Sequence, residues 1–130
     1  MLKKICYIVI FIIIMLPFMV SDSPKLSGVC NNVLLYVGSN SSNAKIVEKS
    51  AFVFDIKGES GTLKSDVKIE HVLQNFNCKL LFTESVCGIT NYYYSANLPY
   101  KINLYGKTVN LHIAVGNQTV IGSPIIFGGY

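Results

Sequence analysis

At 130 residues, 51% of them apolar and 14% charged, the chain is long enough for one domain and too apolar for intrinsic disorder. Its formal charge of +4 includes Lys3 and Lys4 of the N-terminal segment; beyond them nine lysines face seven acidic residues, and there is no arginine. That balance lacks the clustered basic track a nucleic-acid partner requires, and without a guanidinium there is no bidentate recognition of phosphate or carboxylate.

The chain opens with Met1-Leu2-Lys3-Lys4, followed by an unbroken apolar run from Ile5 to Val20 and a polar exit at Ser21-Asp22-Ser23-Pro24-Lys25. A positive n-region, an apolar h-region and a polar exit are the pattern of a secretory signal. Residues 1–21 are therefore expected to be a signal peptide or a membrane anchor, with the lysines cytoplasmic and the bulk extracytoplasmic. The run is shorter than the roughly 20 residues that span lipid, which favours a signal, but no small-x-small site marks a cut. A lipoprotein site at Cys30 is rejected, because Val29 is too large and the apolar run too distant. Residues 22–30 read as a polar linker.

Residues 31–130 read as a single α+β domain. Asn31 to Tyr36 is compatible with a short capped helix or a strand. Gly38 to Asn43 is a loop, and Ala44 to Lys57 alternates at strand period through Phe52, Phe54 and Ile56. Gly58 to Ser65 is expected to break the chain in turns. Ser65 or Asp66 then opens a helix with Ile69, Val72, Leu73 and Phe76 on one stripe, ended by Asn77. Cys78–Val86 and Ile89–Ala96 follow as strands joined by a Cys87-Gly88 turn, then a short edge piece at Ile102–Leu104. Thr108–Val115 is the strongest strand, with Val109, Leu111, Ile113 and Val115 on one face and His112 on the polar face. A two-residue Gly116-Asn117 hairpin would set Gly122 opposite Leu111 and Pro124 opposite Val109, at the outer edge of the sheet. The expected architecture is two-layer, one or two helices on a four- to five-stranded antiparallel sheet.

The candidate chemistry is sparse. If Cys78 and Cys87 bound one strand, they lie roughly 30 Å apart at about 3.3 Å per residue, too far for a disulfide; Cys30 remains able to pair with either. Neither cysteines nor histidines stand at zinc-ligand spacing, so neither metal nor cofactor is expected. Asp55, Glu59, Asp66, Glu70 and Glu84 are scattered singly and read as solvated. His71 and His112 read as ordinary surface or half-buried residues. Tyr92, Tyr93, Tyr94, Tyr100 and Tyr105 cluster within 14 residues; on a sheet they suit contact with an envelope protein or glycan, or wedge the helix on the sheet. Asn40-Ser41-Ser42 and Asn117-Gln118-Thr119 match glycosylation sequons, which count only in a eukaryotic source.

Asn43-Ala44-Lys45-Ile46-Val47-Glu48, Val109-Asn110-Leu111-His112-Ile113-Ala114 and Ile121-Gly122-Ser123-Pro124-Ile125-Ile126 resemble the YwmB family. The likeness covers most of residues 31–130. It implies an exported protein with a TATA-box-binding-protein-like fold, and no activity or catalytic residue. Family members are about twice as long, with two such halves; this chain has room for one, so a complete saddle would need two chains to pair as a homodimer. The resulting expectation is a non-enzymatic binding or assembly domain at the cell envelope, secreted or held to the membrane by its N-terminal segment. The rival is a small thiol-dependent or hydrolytic enzyme using Cys78 or Cys87 with a histidine.

Overall fold

A computed structural model describes residues 1–20, 24–37, 45–48 and 56–126. The apolar N-terminal run forms helix α1 (Leu2–Val20), with the side chains of Met1 to Ile13 exposed. Among the described residues, no helix is long and apolar enough to cross a membrane. The rest is α+β. Strands β1 (Cys30–Val37), β2 (Lys45–Glu48) and β3 (Ile56–Leu63) precede helix α2 (Ile69–Asn75). Strands β4 (Lys79–Val86), β5 (Ile89–Ser95), β6 (Ile102–Leu104), β7 (Lys107–Val109), β8 (Leu111–Val115) and β9 (Thr119–Ser123) follow.

The main sheet has seven strands, in the order β2-β1-β3-β9-β8-β5-β4, and every pairing is antiparallel. β6 and β7 make a separate two-stranded hairpin. The sheet is larger than the four to five strands expected because one stretch left open between helix and strand and one expected as turns both join it. Asn31–Tyr36 is strand, and the glycine-rich Gly58–Ser65 is mostly strand rather than turn. A Cβ on Gly61 would stand 2.8 Å from Cys30 Cβ and 2.9 Å from the Asn31 carbonyl oxygen, beside an irregularity in β1. Glycine here admits a close backbone approach inside a strand rather than a reversal. Of the expected strand over Ala44–Lys57, β2 and the start of β3 are seen; Phe52 and Phe54 lie outside the described residues.

Helix α2 carries the expected stripe. Val72 is fully buried, and Ile69, Leu73 and Phe76 pack partly buried against the same core as Leu35, Leu111, Ile113 and Ile121. The helix starts at Ile69 rather than at Ser65 or Asp66, because Lys64 to Val67 closes a separate turn through the Val67 amide and the Lys64 carbonyl. Its end is set by Asn77, at φ 51°. The Asn77 amide donates to the Gln74 carbonyl and the Cys78 amide to the Leu73 carbonyl, a Schellman arrangement with asparagine in the left-handed position.

The stretch expected as a polar linker is part of the core. Residues 25–29 make one tight turn in which the Val29 and Cys30 amides donate to the Leu26 carbonyl. Leu26, Val29 and Cys30 are buried against the sheet. That turn is held by Glu59 of β3, which was expected in solvent and is fully buried: its Oε2 accepts the Lys25 amide at 2.9 Å and its Oε1 the Leu26 amide at 3.0 Å. A carboxylate taking two main-chain donors is satisfied without a cationic partner.

The C-terminal half departs from expectation in register. Thr108–Val115 is interrupted at Asn110, whose side chain accepts the Ala96 amide at 3.3 Å and donates to the Leu98 and Tyr100 carbonyls at 3.4 and 2.9 Å. The β8–β9 loop is Gly116–Gln118, three residues rather than two, so Gly122 pairs with His112 and not with Leu111. One residue of slip moves every β9 side chain to the other face. β9 lies between β3 and β8, so it is not an edge; Pro124 falls one residue past its end, after a cis Ser123–Pro124 bond, where no ladder donor is needed.

Candidate functional site

Alternation along β5 divides the tyrosine cluster. Tyr92 and Tyr94 face α2 and belong to the core; burial raises the Tyr94 phenol above its ordinary value. Tyr93 faces the opposite side. Tyr100 lies on the 96–101 connection, its carbonyl accepting from Asn110. Tyr105 sits at the tip of the β6–β7 hairpin, where Tyr105 at φ 52° and Gly106 at φ 76° form a tight turn. The five expected binding tyrosines therefore do not form one surface: Tyr93 and Tyr105 come together, Tyr92 and Tyr94 pack with the core, and Tyr100 lies on the 96–101 connection.

On the face away from α2, strand register aligns Phe82 of β4, Tyr93 of β5 and His112 of β8. Their rings stack in series. Phe82 and Tyr93 have centroids 4.5 Å apart with planes at 17°, and Tyr93 and His112 have centroids 4.5 Å apart with planes at 15°. Tyr105 meets Phe82 edge-on, with centroids 5.7 Å apart at 78°. Tyr105 is itself 81% exposed, so one side of this aromatic group faces solvent. A concavity of about 290 Å³ opens alongside, bordered by Glu84, Tyr93, Tyr105, His112, Ile125 and Ile126. The Tyr93 hydroxyl points to Glu84 Oε2 at 3.5 Å, the outer limit of a hydrogen bond.

His112, expected on the polar face of its strand as a surface or half-buried residue, is 4% exposed. After Pro124, Ile125 and Ile126 double back over this side of the sheet: the Ile126 amide donates to His112 Nδ1 at 3.2 Å. His112 Nε2 lies 2.7 Å from Asn91 Oδ1. Because Nδ1 receives a proton donor, the ring proton belongs on Nε2, directed at Asn91. Burial lowers the His112 pKa from 6.5 to about 4, so the neutral imidazole is the resident form near pH 7.

The thiols do not assemble a nucleophilic pair. All four cysteines are free. Burial pushes the Cys78 thiol up to about 11. Burial, followed by the Glu59 carboxylate, pushes Cys30 up to about 12 against a smaller opposing pull from Lys64. Cys87 is exposed in the β4–β5 turn, at φ 51°, and borders a second concavity of about 420 Å³ lined also by Ile89, Ala114, Asn117, Gln118 and Val120, without a histidine. His71 is exposed on α2, and both ring nitrogens of His112 are engaged. Among the described residues, no three His, Cys, Asp or Glu side chains gather as metal ligands.

Sequence reasoning missed Phe82, Asn91, Glu84 and the returning segment as members of this face. Period-two alternation already pairs Asn91 with Tyr93, and a glycine inside strand β9 signals close backbone approach. Fold and site together define a two-layer α+β domain with an aromatic sheet face, partly covered by a hairpin and by its own chain. Comparison with known proteins finds no matching family, no matching curated protein and no matching solved structure.

Proposed function

We propose that this chain is an exported or membrane-tethered domain with a non-enzymatic binding or assembly role outside the membrane, and that it binds through the exposed Tyr105 ring and the half-buried Phe82 ring, which the buried Tyr93 backs. The observation that carries the reading is the exposed Tyr105 ring set edge-on against a stacked Phe82–Tyr93–His112 series, beside an open concavity. Rigid amphipathic rings offer a large contact area at small entropic cost, which suits a protein or glycan surface. The address is supported by α1, whose described side chains are all exposed and mostly apolar behind Lys3 and Lys4. Nineteen residues at about 1.5 Å each fall a little short of a roughly 30 Å hydrocarbon core, which suits a signal segment better than a span. Kinship with the YwmB family, with two chains completing a saddle, belongs to the same proposal.

The thiol-enzyme alternative draws its support from Cys87 beside a concavity. Against it stand the raised Cys78 thiol and the engaged nitrogens of His112.

The address is tested by expressing the full chain with a C-terminal tag and adding protease to intact cells. Digestion of the tag, or its appearance in the medium, is expected; a full-length polypeptide protected in the cytosol overturns the address. The binding face is tested by crosslinking from intact cells with the parent and with Tyr105→Ala. A crosslinked species that weakens in Tyr105→Ala is expected. An unchanged crosslink pattern in Tyr105→Ala, or loss of function in Cys87→Ser alone, overturns the non-enzymatic aromatic-face reading.

A further inference from the structure

We propose that residues 124–126 form an acid-released strap, held across the sheet by the Ile126 amide on His112 Nδ1 and let go when that nitrogen takes up a proton. The inference concerns the cover of the face and does not depend on what the face binds.

The strap lies directly on the sheet. A Cβ on Gly122 would stand 2.5 Å from the carbonyl carbon and oxygen of Ile125 and 2.5 Å from the Ile126 nitrogen. Backbone therefore rests on backbone, and β9 tolerates the return of its own chain because residue 122 has no side chain. Gly122 is also the register partner of His112. The fold-back thus brings the Ile126 amide to the imidazole of the neighbouring strand, where it donates at 3.2 Å.

The bond is conditional on protonation state. His112 Nε2 faces Asn91 Oδ1 at 2.7 Å and carries the ring proton, leaving Nδ1 as an acceptor. A proton added at Nδ1 turns an acceptor into a donor aimed at another donor. The Ile126 bond is lost, while the bond from Nε2 to Asn91 is retained and becomes charge-assisted. Protonation is therefore directed against the strap and not against the β5–β8 pairing.

The surroundings leave burial as the force opposing charge on the ring. From β5 it faces Asn91 and the stacked Tyr93. From β4 comes Glu84, whose carboxylate is turned to the Tyr93 hydroxyl at 3.5 Å. The β6–β7 hairpin brings Leu104 and Tyr105 to the shared concavity, while its Lys107 is turned to the Leu81 carbonyl at 3.3 Å. β9 contributes Gly122, and the strap contributes Ile125 and Ile126. Lifting the strap admits water to His112, removes the cause of its low basicity and widens the concavity beside Tyr93.

The test uses the full chain, isotope-labelled in detergent micelles and titrated from neutral pH to about pH 3.5, below the His112 midpoint. Ring nitrogen shifts follow His112, and amide exchange, corrected for its intrinsic pH dependence, follows Ile126, Ile113 and Ile121. The expected result is that Ile126 loses about tenfold or more of its protection with the same midpoint as His112, while Ile113 and Ile121 stay protected. In Ile126→Pro, which removes the donor, the His112 midpoint is expected to rise by about one unit or more. An Ile126 amide that stays protected after His112 is charged overturns the proposal. So does simultaneous loss of all three amides, or an unmoved His112 midpoint in Ile126→Pro.

Discussion

Glu59 accepts the main-chain amide of Leu26 across 33 residues of sequence, and both residues are fully buried. The contact joins the turn that follows the apolar N-terminal segment to the middle of the sheet. Glu59 stands opposite Leu35 of β1 and Ser123 of β9, so one carboxylate sits where the N-terminal and C-terminal halves of the sheet meet.

Glu59→Ala leaves the Lys25 and Leu26 amides without their acceptor and is expected to cost about 3 kcal/mol, as buried unsatisfied donors do. Glu59→Gln keeps the shape and one carbonyl acceptor and is expected to lose about half as much. Chemical denaturation of the two variants against the parent measures both. Equal stability of Glu59→Ala and the parent would refute the role of the turn as part of the core.

Stability is expected to depend on pH through His112. Its pKa is lowered from 6.5 to about 4 in the fold, by burial. Below pH 6.5 the unfolded chain takes up a proton that the folded chain refuses, so stability falls as the pH drops from about 6.5 to about 4 and is flat in this term outside that window. The full loss is at most about 3 kcal/mol. Denaturant midpoints at pH 7 and pH 5, compared with those of His112→Gln, isolate the contribution; a slope that persists in His112→Gln would assign it elsewhere.

Gly122→Ala is expected to destabilise by about 1–3 kcal/mol, the range for forcing extra volume into a packed site. Its new methyl would meet Ile125 and Ile126 backbone at 2.5 Å, and those atoms cannot swing away as a side-chain tip can. Gly28→Ala, with nothing within 4 Å and no left-handed backbone, is the neutral control. Thermal denaturation of the two variants distinguishes crowding at the strap from a general effect of alanine.

Thiol labelling is expected to follow burial. Cys6 and Cys87 are exposed and react first, whereas Cys78 and Cys30 have thiols pushed up to about 11 and about 12 and react on denaturation. Mass spectrometry after alkylation at pH 8, with and without denaturant, reads the order. Rapid native alkylation of Cys30 would contradict the packing of the 25–30 turn.

Local features were legible where local physics decides them. The stripe of Ile69, Val72, Leu73 and Phe76 reads as a helix because its spacing is helical, and Asn77 as its end because asparagine tolerates positive φ. The Cys87-Gly88 turn was equally plain, with Val86 pairing Ile89 across it. The clustered tyrosines were visible too, and strand alternation sets Tyr93 opposite Tyr92 and Tyr94; which of the two faces meets the helix is decided by tertiary packing. His112 read as an ordinary surface or half-buried residue, and Asn91 drew no reading, because neither the returning chain nor the aromatic stack can be seen in composition.

Sequence alone determined the α+β class, the helix and most strands, since periodicity and turn residues act over a few positions. Tertiary structure decided which polar groups are buried and which rings share a face. Glu59 and His112 are buried because main-chain amides from Leu26 and Ile126 arrive to satisfy them, and those partners come from distant segments. Hydrogen-bond satisfaction across the fold is a property of where segments meet, and no local pattern encodes it.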